Sequence, residues 1–128
     1  MKRFFKVAMA TIVVLTAISC NASIEGRWEY LYTEEFEDGE LDEKTKEDEG
    51  WSLWFNADGT GYEIEYHVKT PIYWKVKGGW LYYDYEPLTD LDKDYALRIV
   101  HAKSDELKLR AYYDSRKDYD DYTFRREE

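Results

Sequence analysis

The chain has 128 residues and a formal net charge of −10, from 28 acidic and 18 basic side chains. A surface this negative repels phosphate backbones, so the composition argues against a nucleic-acid-binding protein. High charge is common in disordered chains, but an aromatic content of 18% is not, because such chains are poor in aromatic residues. The length therefore predicts one globular domain and leaves no room for a second.

The first twenty residues have the layout of a secretory signal. Lys2, Arg3 and Lys6 form a basic start, and an apolar stretch follows over residues 7–18. Small residues come after it, as at a signal-peptide cleavage site. The apolar stretch is too short for a membrane-spanning helix, which needs about 20 apolar residues.

The chain's only cysteine, Cys20, stands at the end of this leader. Residues 17–20 (Ala-Ile-Ser-Cys) resemble the lipobox of bacterial lipoproteins, in which the cysteine is acylated and becomes the first residue of the mature protein. The resemblance implies a signal peptide at 1–19, a domain at 20–128 and lipidation of Cys20. The protein would then be held in the cell envelope by a lipid anchor, which is stable when it carries two or more acyl chains.

The residues after Cys20 bear on the final location of the protein. Asn21 does not resemble the aspartate that retains some lipoproteins at the inner membrane, which favours the outer membrane. The alternative to lipidation is ordinary signal cleavage after Ala22, and this would give a periplasmic or secreted protein.

Apolar and polar residues alternate with a period of two along the rest of the chain, which predicts β-strands. No stretch sustains the 3.6-residue apolar stripe of a helix. We expect eight strands, whose alternating sets on one face are, in chain order, Trp28, Tyr30 and Tyr32; Trp51, Leu53 and Phe55; Tyr62, Ile64, Tyr66 and Val68; Ile72, Trp74 and Val76; Leu81, Tyr83 and Tyr85; Leu97, Ile99 and His101; Leu107, Leu109, Ala111 and Tyr113; and Tyr122, Phe124 and Arg126.

Short turns separate several of these strands. Residues 56–59 (Asn-Ala-Asp-Gly) and 78–79 (Gly-Gly) are tight-turn signals, and Pro87 ends a strand because it cannot donate to a ladder. Half-polar strands in hairpin order indicate an antiparallel sheet with one solvated face. Closing eight such strands on themselves removes both exposed edges, so the sequence predicts an all-β fold, an eight-stranded antiparallel up-and-down barrel.

Residues 34–50 break the alternation. They include ten carboxylates and two lysines, with Phe36 and Leu41 as the only sizeable apolar side chains. We expect a long first loop with a helical turn around residues 41–46. In a barrel this loop would lie over one mouth, as a solvated flap or as a lid.

Three short motifs resemble the lipocalin superfamily. Residues 24–28 (Ile-x-Gly-x-Trp) are similar to the G-x-W start of its first strand. Residues 54–61 (Trp-Phe-Asn-Ala-Asp-Gly-Thr-Gly) resemble the second-to-third strand hairpin of compact bacterial lipocalin-like domains, and residues 122–126 (Tyr-x-Phe-x-Arg) resemble their final strand. The chain differs from secreted lipocalins in being shorter and in lacking their disulfide and an evident C-terminal helix.

The lipocalin resemblance implies a fold and a contact that closes it. The fold would be a lipocalin-like barrel, which is just wide enough to be filled by side chains or to hold one small ligand. Trp28 would pack beneath an arginine of the last strand, Arg126 or alternatively Arg125. Such a cation–π contact is worth about 0.5–2 kcal/mol and would close one end of the barrel.

Aromatic side chains on the predicted inner face carry the functional signal. Buried tyrosine hydroxyls need hydrogen-bond partners, so tyrosines at a barrel mouth can orient a small apolar or amphipathic ligand while the others form core. The candidate ligand-binding residues are Tyr30, Tyr62, Tyr66, Trp74, Tyr83, Tyr85 and Tyr113.

The alternative function is a surface interaction or inhibitor module with a filled barrel. In that case a basic protein partner would meet the acidic residues 34–50 and the outward aromatic side chains. The aromatic residues predicted to face outward are Trp54, Tyr73, Trp80, Tyr82 and Tyr112.

Constellations for catalysis or metal binding are scarce in this sequence. We expect a surface position for His67, which lies on the predicted outer face beside Glu63 and Glu65, and a core or rim position for His101, which lies on an apolar face. A metal or acid–base role would need convergent partners from other strands. Residues 90–94 (Asp-x-Asp-x-Asp) match the opening of an EF-hand calcium loop, but Tyr95 replaces its glycine and His101 its final glutamate. The sequence therefore predicts no enzyme activity, no cofactor and no metal site.

Overall fold

Nine β-strands and no helix make up the part of the chain that the structure, a computed structural model, describes: residues 24–92, 96–113 and 115–127. That part accordingly contains no helix able to cross a membrane. The predicted signal peptide and Cys20 lie outside the described residues, as does part of the calcium-like motif at 90–94. The strands are β1 (Gly26–Glu37), β2 (Glu40–Thr45), β3 (Trp51–Phe55), β4 (Thr60–Glu65), β5 (Val68–Lys77), β6 (Trp80–Asp84), β7 (Leu97–Ala102), β8 (Glu106–Tyr112) and β9 (Tyr119–Arg126).

All neighbouring strands pair antiparallel, and the sheet closes because β9 pairs with β1. The predicted eight-stranded antiparallel barrel is therefore confirmed, with β1 and β3–β9 closing it in chain order and β2 as an additional strand. On its other edge β1 has two neighbours in succession. Residues 26–29 pair with β3, and residues 33–37 pair with β2.

Residues 34–50 were expected to form a loop with a helical turn. Residues 34–37 instead extend β1, residues 40–45 form β2, and only residues 46–50 remain a connection. Asp38 and Gly39 have φ angles of 55° and 79° and make the tight turn between the two strands. β2 is exposed along almost its whole length, and both of its faces are polar apart from exposed Leu41. A strand with two polar faces has no apolar alternation, and the period-two pattern therefore missed it.

Register at the β3–β4 hairpin decides which side chains of β4 face the barrel interior. Leu53, which is fully buried, lies directly opposite Glu63, and cross-strand partners share a face. Glu63 therefore points inward, and the inward set predicted for this strand is wrong. Tyr62 lies opposite Trp54 on the outer face, and the two rings meet edge to face with centroids 6.0 Å apart.

The turn after β4 comes earlier in the chain than predicted. Tyr66 and His67 have φ angles of 49° and 71° and form a two-residue turn that sets Glu65 opposite Val68. Tyr66 and Val68, expected on the inner face, are consequently exposed. Left-handed backbone is costly for residues other than glycine, so local propensity did not indicate this turn.

Two irregularities in strand pairing move further side chains. The register between β1 and β9 shifts after Tyr30, so Thr33 takes a fully buried position and Tyr32, expected inward, lies outside. A second shift in β7 sets His101 opposite Lys108 on the outer face, instead of on the core face.

Apolar side chains fill most of the barrel, and a second cluster lies outside it. The connection from β6 to β7 covers Trp80 and Tyr82 with Leu88, Leu91 and Ala96. Trp80 is 7% exposed and Tyr82 is 6% exposed, so the two rings lie outside the barrel interior, as predicted, but are covered instead of forming an exposed surface. The buried cluster inside the barrel consists of Ile24, Trp28, Tyr30, Leu53, Phe55, Ile72, Trp74, Leu81, Ile99, Leu107, Leu109 and Phe124.

Candidate functional site

Polar side chains collect at the end of the barrel opposite to Trp28. Strand pairing sets Thr33 and Glu35 of β1 level with Tyr122 and Asp120 of β9 at this end. The interior opens here beneath the segment that joins β2 to β3. We call this region the barrel mouth; its inward side chains and rim are Glu35, Asp48, Trp51, Glu63, Glu65, Tyr66, Tyr83, Tyr85, Tyr113, Asp120 and Tyr122.

Glu63 is the central group of the barrel mouth. Its side chain is 5% exposed, and a carboxylate at such a position is stable only when hydrogen bonds replace its water. Trp51 Nε1 and the Tyr83 hydroxyl each donate to Oε2 at 3.0 Å, and the Tyr85 hydroxyl donates to Oε1. Trp51 belongs to β3, and Tyr83 and Tyr85 belong to β6 and its end, so three donors from two strands hold a negative charge against the barrel wall.

The tyrosines around Glu63 are held in their neutral form. The hydrogen bond to Glu63, followed by burial, raises the pKa of Tyr85 to about 12. Burial raises the pKa of Tyr83 well above its usual value, and the charge of Glu63 adds to the effect. Both phenols therefore stay protonated and donate to Glu63 across the physiological pH range.

A second buried carboxylate, Asp120, lies across the barrel mouth. It is 6% exposed and accepts a hydrogen bond from the Tyr113 hydroxyl. Burial raises the pKa of Tyr113 and also that of Tyr122, to which the charge of Asp120 contributes. The arrangement repeats that of Glu63: an inward carboxylate next to neutral phenols.

The carboxylates at the rim repel one another. Burial and then the charge of Asp120 raise the pKa of Asp48. Burial, followed by the charges of Glu63 and Asp48, raises the pKa of Glu65. The mouth thus concentrates negative potential that a positively charged group would relieve.

A cleft of about 160 Å³ opens between these groups. Trp51 and Tyr122 supply aromatic surface, while Asp48, Glu63 and Glu65 supply carboxylates. A water molecule takes up about 30 Å³ of liquid, and drug-sized ligands need about 300–1,000 Å³. The cleft therefore has room for a small polar group or one end of a larger molecule.

The structure brings four of the seven predicted ligand-binding residues to the mouth. Tyr83, Tyr85 and Tyr113 donate to the buried carboxylates, and Tyr66 lines the cleft while remaining 70% exposed. Tyr30 lies deeper, where its hydroxyl is 2.5 Å from Thr33 Oγ1.

The other two predicted ligand-binding residues lie away from the mouth. Trp74 packs against Phe55 at the opposite end, where its Nε1 donates to the backbone oxygens of Asn56 and Thr60 at 2.9 Å. Tyr62 faces outward, where Lys69 Nζ lies 4.2 Å from its ring centroid.

Sequence reasoning missed the two carboxylates on which the mouth is built. The alternation of apolar and polar residues predicts that acidic side chains face solvent. Because this pattern assigns Tyr62 and Ile64 to the inner face, it assigns Glu63 to the outer one. The usable signal was the hairpin at residues 56–59. Its register sets Leu53 against Glu63, and a buried leucine opposite a glutamate places the glutamate inside.

Arg126 and Trp28 meet at the closed end of the barrel. Arg126 Cζ lies 4.1 Å from the Trp28 ring centroid, and its Nη1 donates to the Glu25 carbonyl oxygen at 2.7 Å. A Cβ on Gly26 would collide with this guanidinium, which explains a residue without a side chain at that position. Arg125, the alternative partner, instead points outward and pairs with Glu29.

No group of three or more His, Cys, Asp or Glu side chains within the described residues is placed to hold a metal ion. His101 Nε2 lies 2.6 Å from Glu106 Oε2, and His67 occupies the exposed turn after β4.

Comparison with known proteins finds no match to this chain among protein-family models, curated proteins or solved structures.

Proposed function

We propose that this protein is a non-enzymatic, lipocalin-like binding protein of a bacterial cell envelope, anchored through lipid on Cys20. Its ligand is a small amphipathic molecule whose polar end enters the barrel mouth. The observation that carries the proposal is Glu63, a charged group inside a hydrogen-bonded pocket that opens onto an aromatic cleft. A barrel that served only as a scaffold would gain stability from an apolar residue there.

The chemistry of the cleft favours a ligand with a positively charged head. Carboxylates are acceptors, and an ammonium group supplies donors without needing an acceptor. Trp51 and Tyr122 also line the cleft, and the faces of aromatic rings attract cations. The apolar part of the ligand would leave the cleft along exposed Tyr66 and Val68, which line the adjoining groove.

Three amphiphiles of equal chain length test the ligand class: dodecylamine, dodecanol and dodecanoate. Binding is measured by titration calorimetry and by native mass spectrometry on the purified protein. We expect the amine to bind most tightly and the carboxylate to be rejected by the charge of the mouth. Equal binding of all three, or of none, would contradict the proposal.

Two variants connect such binding to the mouth. Glu63→Gln removes the buried charge at almost constant volume, and Glu65→Gln removes a rim charge without touching the interior. Both should weaken amine binding, Glu63→Gln by about tenfold or more. Glu40→Gln on exposed β2 is the matched control and should bind like the natural protein. Thermal melting separates a loss of binding from a loss of fold.

Lipidation is tested separately from binding. Cys20→Ala should move the protein from the membrane fraction to the soluble fraction and abolish incorporation of labelled palmitate. Ser23→Ala is the control and should leave both unchanged. A soluble natural protein whose mature chain begins at Ser23 would show that ordinary signal cleavage operates instead.

The alternative, a surface interaction module, has less support. Two of its five outward aromatic side chains, Trp80 and Tyr82, are covered by the connection from β6 to β7. Trp54 is engaged by Arg27, whose Cζ lies 4.0 Å from the ring centroid. The acidic hairpin of β1 and β2 remains the feature that a basic protein partner would recognise.

A further inference from the structure

Three arginines gather on the outer wall of the barrel, although the chain carries a net charge of −10. Arg98 of β7 lies directly opposite Arg110 of β8. Arg116, from the turn between β8 and β9, reaches the same place: Arg98 Cζ and Arg116 Cζ each lie 5.7 Å from the Trp80 ring centroid. We call the surface between them the arginine groove.

The three guanidinium groups differ in how their charge is balanced. Arg110 forms a two-point ion pair with Asp121, with distances of 2.7 and 3.0 Å. Within the described residues, Arg98 and Arg116 make no ion pair; their recorded contacts are with the rings of Trp80 and Tyr112. In the part of the chain that the structure describes, Asp121 is therefore the one carboxylate paired with these three arginines.

Such an arrangement has a cost in the sheet itself. Like charges directly opposite one another on neighbouring strands are destabilising. Carboxylates are plentiful in this chain, yet among the residues that the structure describes none forms an ion pair with Arg98 or Arg116. Arg98 of β7 lies opposite Arg110 of β8, and an external anion bound beside them would balance the positive charge.

The shape of the arginine groove fits a small molecule. Its volume is about 480 Å³, and besides the three arginines it is lined by Ile99, Val100 and Tyr112. Guanidinium forks bind two oxygens of one carboxylate or phosphate group. Half-exposed Val100 and the Tyr112 ring offer apolar surface to the rest of such a molecule.

We propose that the arginine groove binds an oxyanion, a phosphate or carboxylate group carried by a small organic molecule or by an anionic lipid headgroup. The group lies between Arg98 and Arg116, while Arg110 stays fixed by Asp121 and supplies further positive potential. The net charge of −10 of the chain disfavours long polyanions as ligands. This site lies outside the barrel and is independent of the mouth.

Phenyl phosphate and benzoate are the small-molecule probes, and vesicles with and without phosphatidylglycerol are the lipid probe. Binding is followed through the arginine side-chain Nε–Hε signals in nuclear magnetic resonance spectra and by vesicle flotation. Saturating shifts of Arg98 and Arg116 with the small anions indicate a soluble ligand; flotation that depends on phosphatidylglycerol indicates a headgroup. If the small anions cause no saturating shifts of Arg98 and Arg116 and flotation does not depend on phosphatidylglycerol, the proposal is overturned.

Substitutions distinguish a binding role from a structural one. Arg98→Gln and Arg116→Gln should each weaken binding of the responsive probe about tenfold. Arg27→Gln, which removes a similar arginine–tryptophan contact elsewhere, should leave it unchanged. Arg98→Gln should also leave the melting temperature unchanged or raise it, because a repulsive pair is removed. A lower melting temperature with unchanged probe binding would assign Arg98 a purely structural role and reject the site.

Discussion

Arg126 joins three parts of the chain through one side chain. Its guanidinium covers Trp28, donates through Nη1 to Glu25 and donates through Nε to the backbone oxygen of Ser104 at 2.6 Å. Arg126→Ala should therefore lower the free energy of unfolding by about 1–2 kcal/mol, from lost cation–π attraction and lost packing of the stem.

Chemical denaturation monitored by tryptophan fluorescence measures this loss. Arg125→Ala is the matched control, because that neighbouring arginine forms an exposed ion pair with Glu29, worth about 0–1 kcal/mol. Equal losses in the two variants would mean that the contact with Trp28 adds nothing beyond an ordinary surface charge.

Asp48 makes the stability of the barrel depend on pH. Burial and the charge of Asp120 raise its pKa in the folded protein above the ordinary value of 3.8. The fold therefore binds its proton more tightly than the unfolded chain does, and stability falls as the pH rises from below 3.8 through the raised pKa. At pH 7 the full penalty is present.

Asp48→Asn should remove this penalty. We expect the variant to be more stable than the natural protein at pH 7, by up to about 1 kcal/mol, and to gain little at pH 3. Differential scanning fluorimetry across this range measures the change, with Asp42→Asn on exposed β2 as the control. A gain that is the same at both pH values would point to a cause other than the charge of Asp48.

At the scale of single elements, the turn between β4 and β5 stores backbone strain beside the mouth. Tyr66 and His67 both adopt left-handed φ angles, which Asn-Gly would adopt at lower cost. Replacing them by Asn and Gly should stabilise the protein by about 1 kcal/mol. The same change should weaken binding of the amine probe, because Tyr66 lines the cleft.

Thermal melting and amine titration of this double variant give the two readouts. Asp38→Asn in the β1–β2 turn is the control, since Asp38-Gly39 already suits its φ angles. Stabilisation without loss of binding would show that the ligand does not touch Tyr66.

The sequence predicts strands correctly where apolar residues alternate. It does not predict which side chains face the interior where the register between strands decides this. β2 was missed because its faces are both polar, although Asp38-Gly39 is itself a strong hairpin signal. β4 was found, but its inward face was assigned by hydrophobicity, whereas its pairing with Leu53 turns Glu63 inside. The site was therefore only half predictable. Its tyrosines follow from alternation, whereas its buried carboxylates follow only from strand pairing, as in the hairpin at residues 56–59 that sets Leu53 against Glu63.

For the molecule as a whole, closure depends on β9, which pairs with β8 on one side and with β1 on the other. Deleting residues 122–128 removes partners from both neighbours and leaves their edges unpaired. We expect the truncated protein to lose its cooperative melting transition, and circular dichroism and size-exclusion chromatography test this. Deleting Glu128 alone is the control. A truncated monomer with an unchanged melting temperature would mean that the barrel does not need this closure.

The pairing of the first strand with the last also imposes an order in time. While the chain is being synthesised, β1 emerges early and its partner β9 does not yet exist. Contacts between segments so far apart form slowly, because the loop between them must be closed first, and β-rich folds of this kind take milliseconds to seconds. The barrel therefore stays open until β9 has been synthesised and can pair with β1.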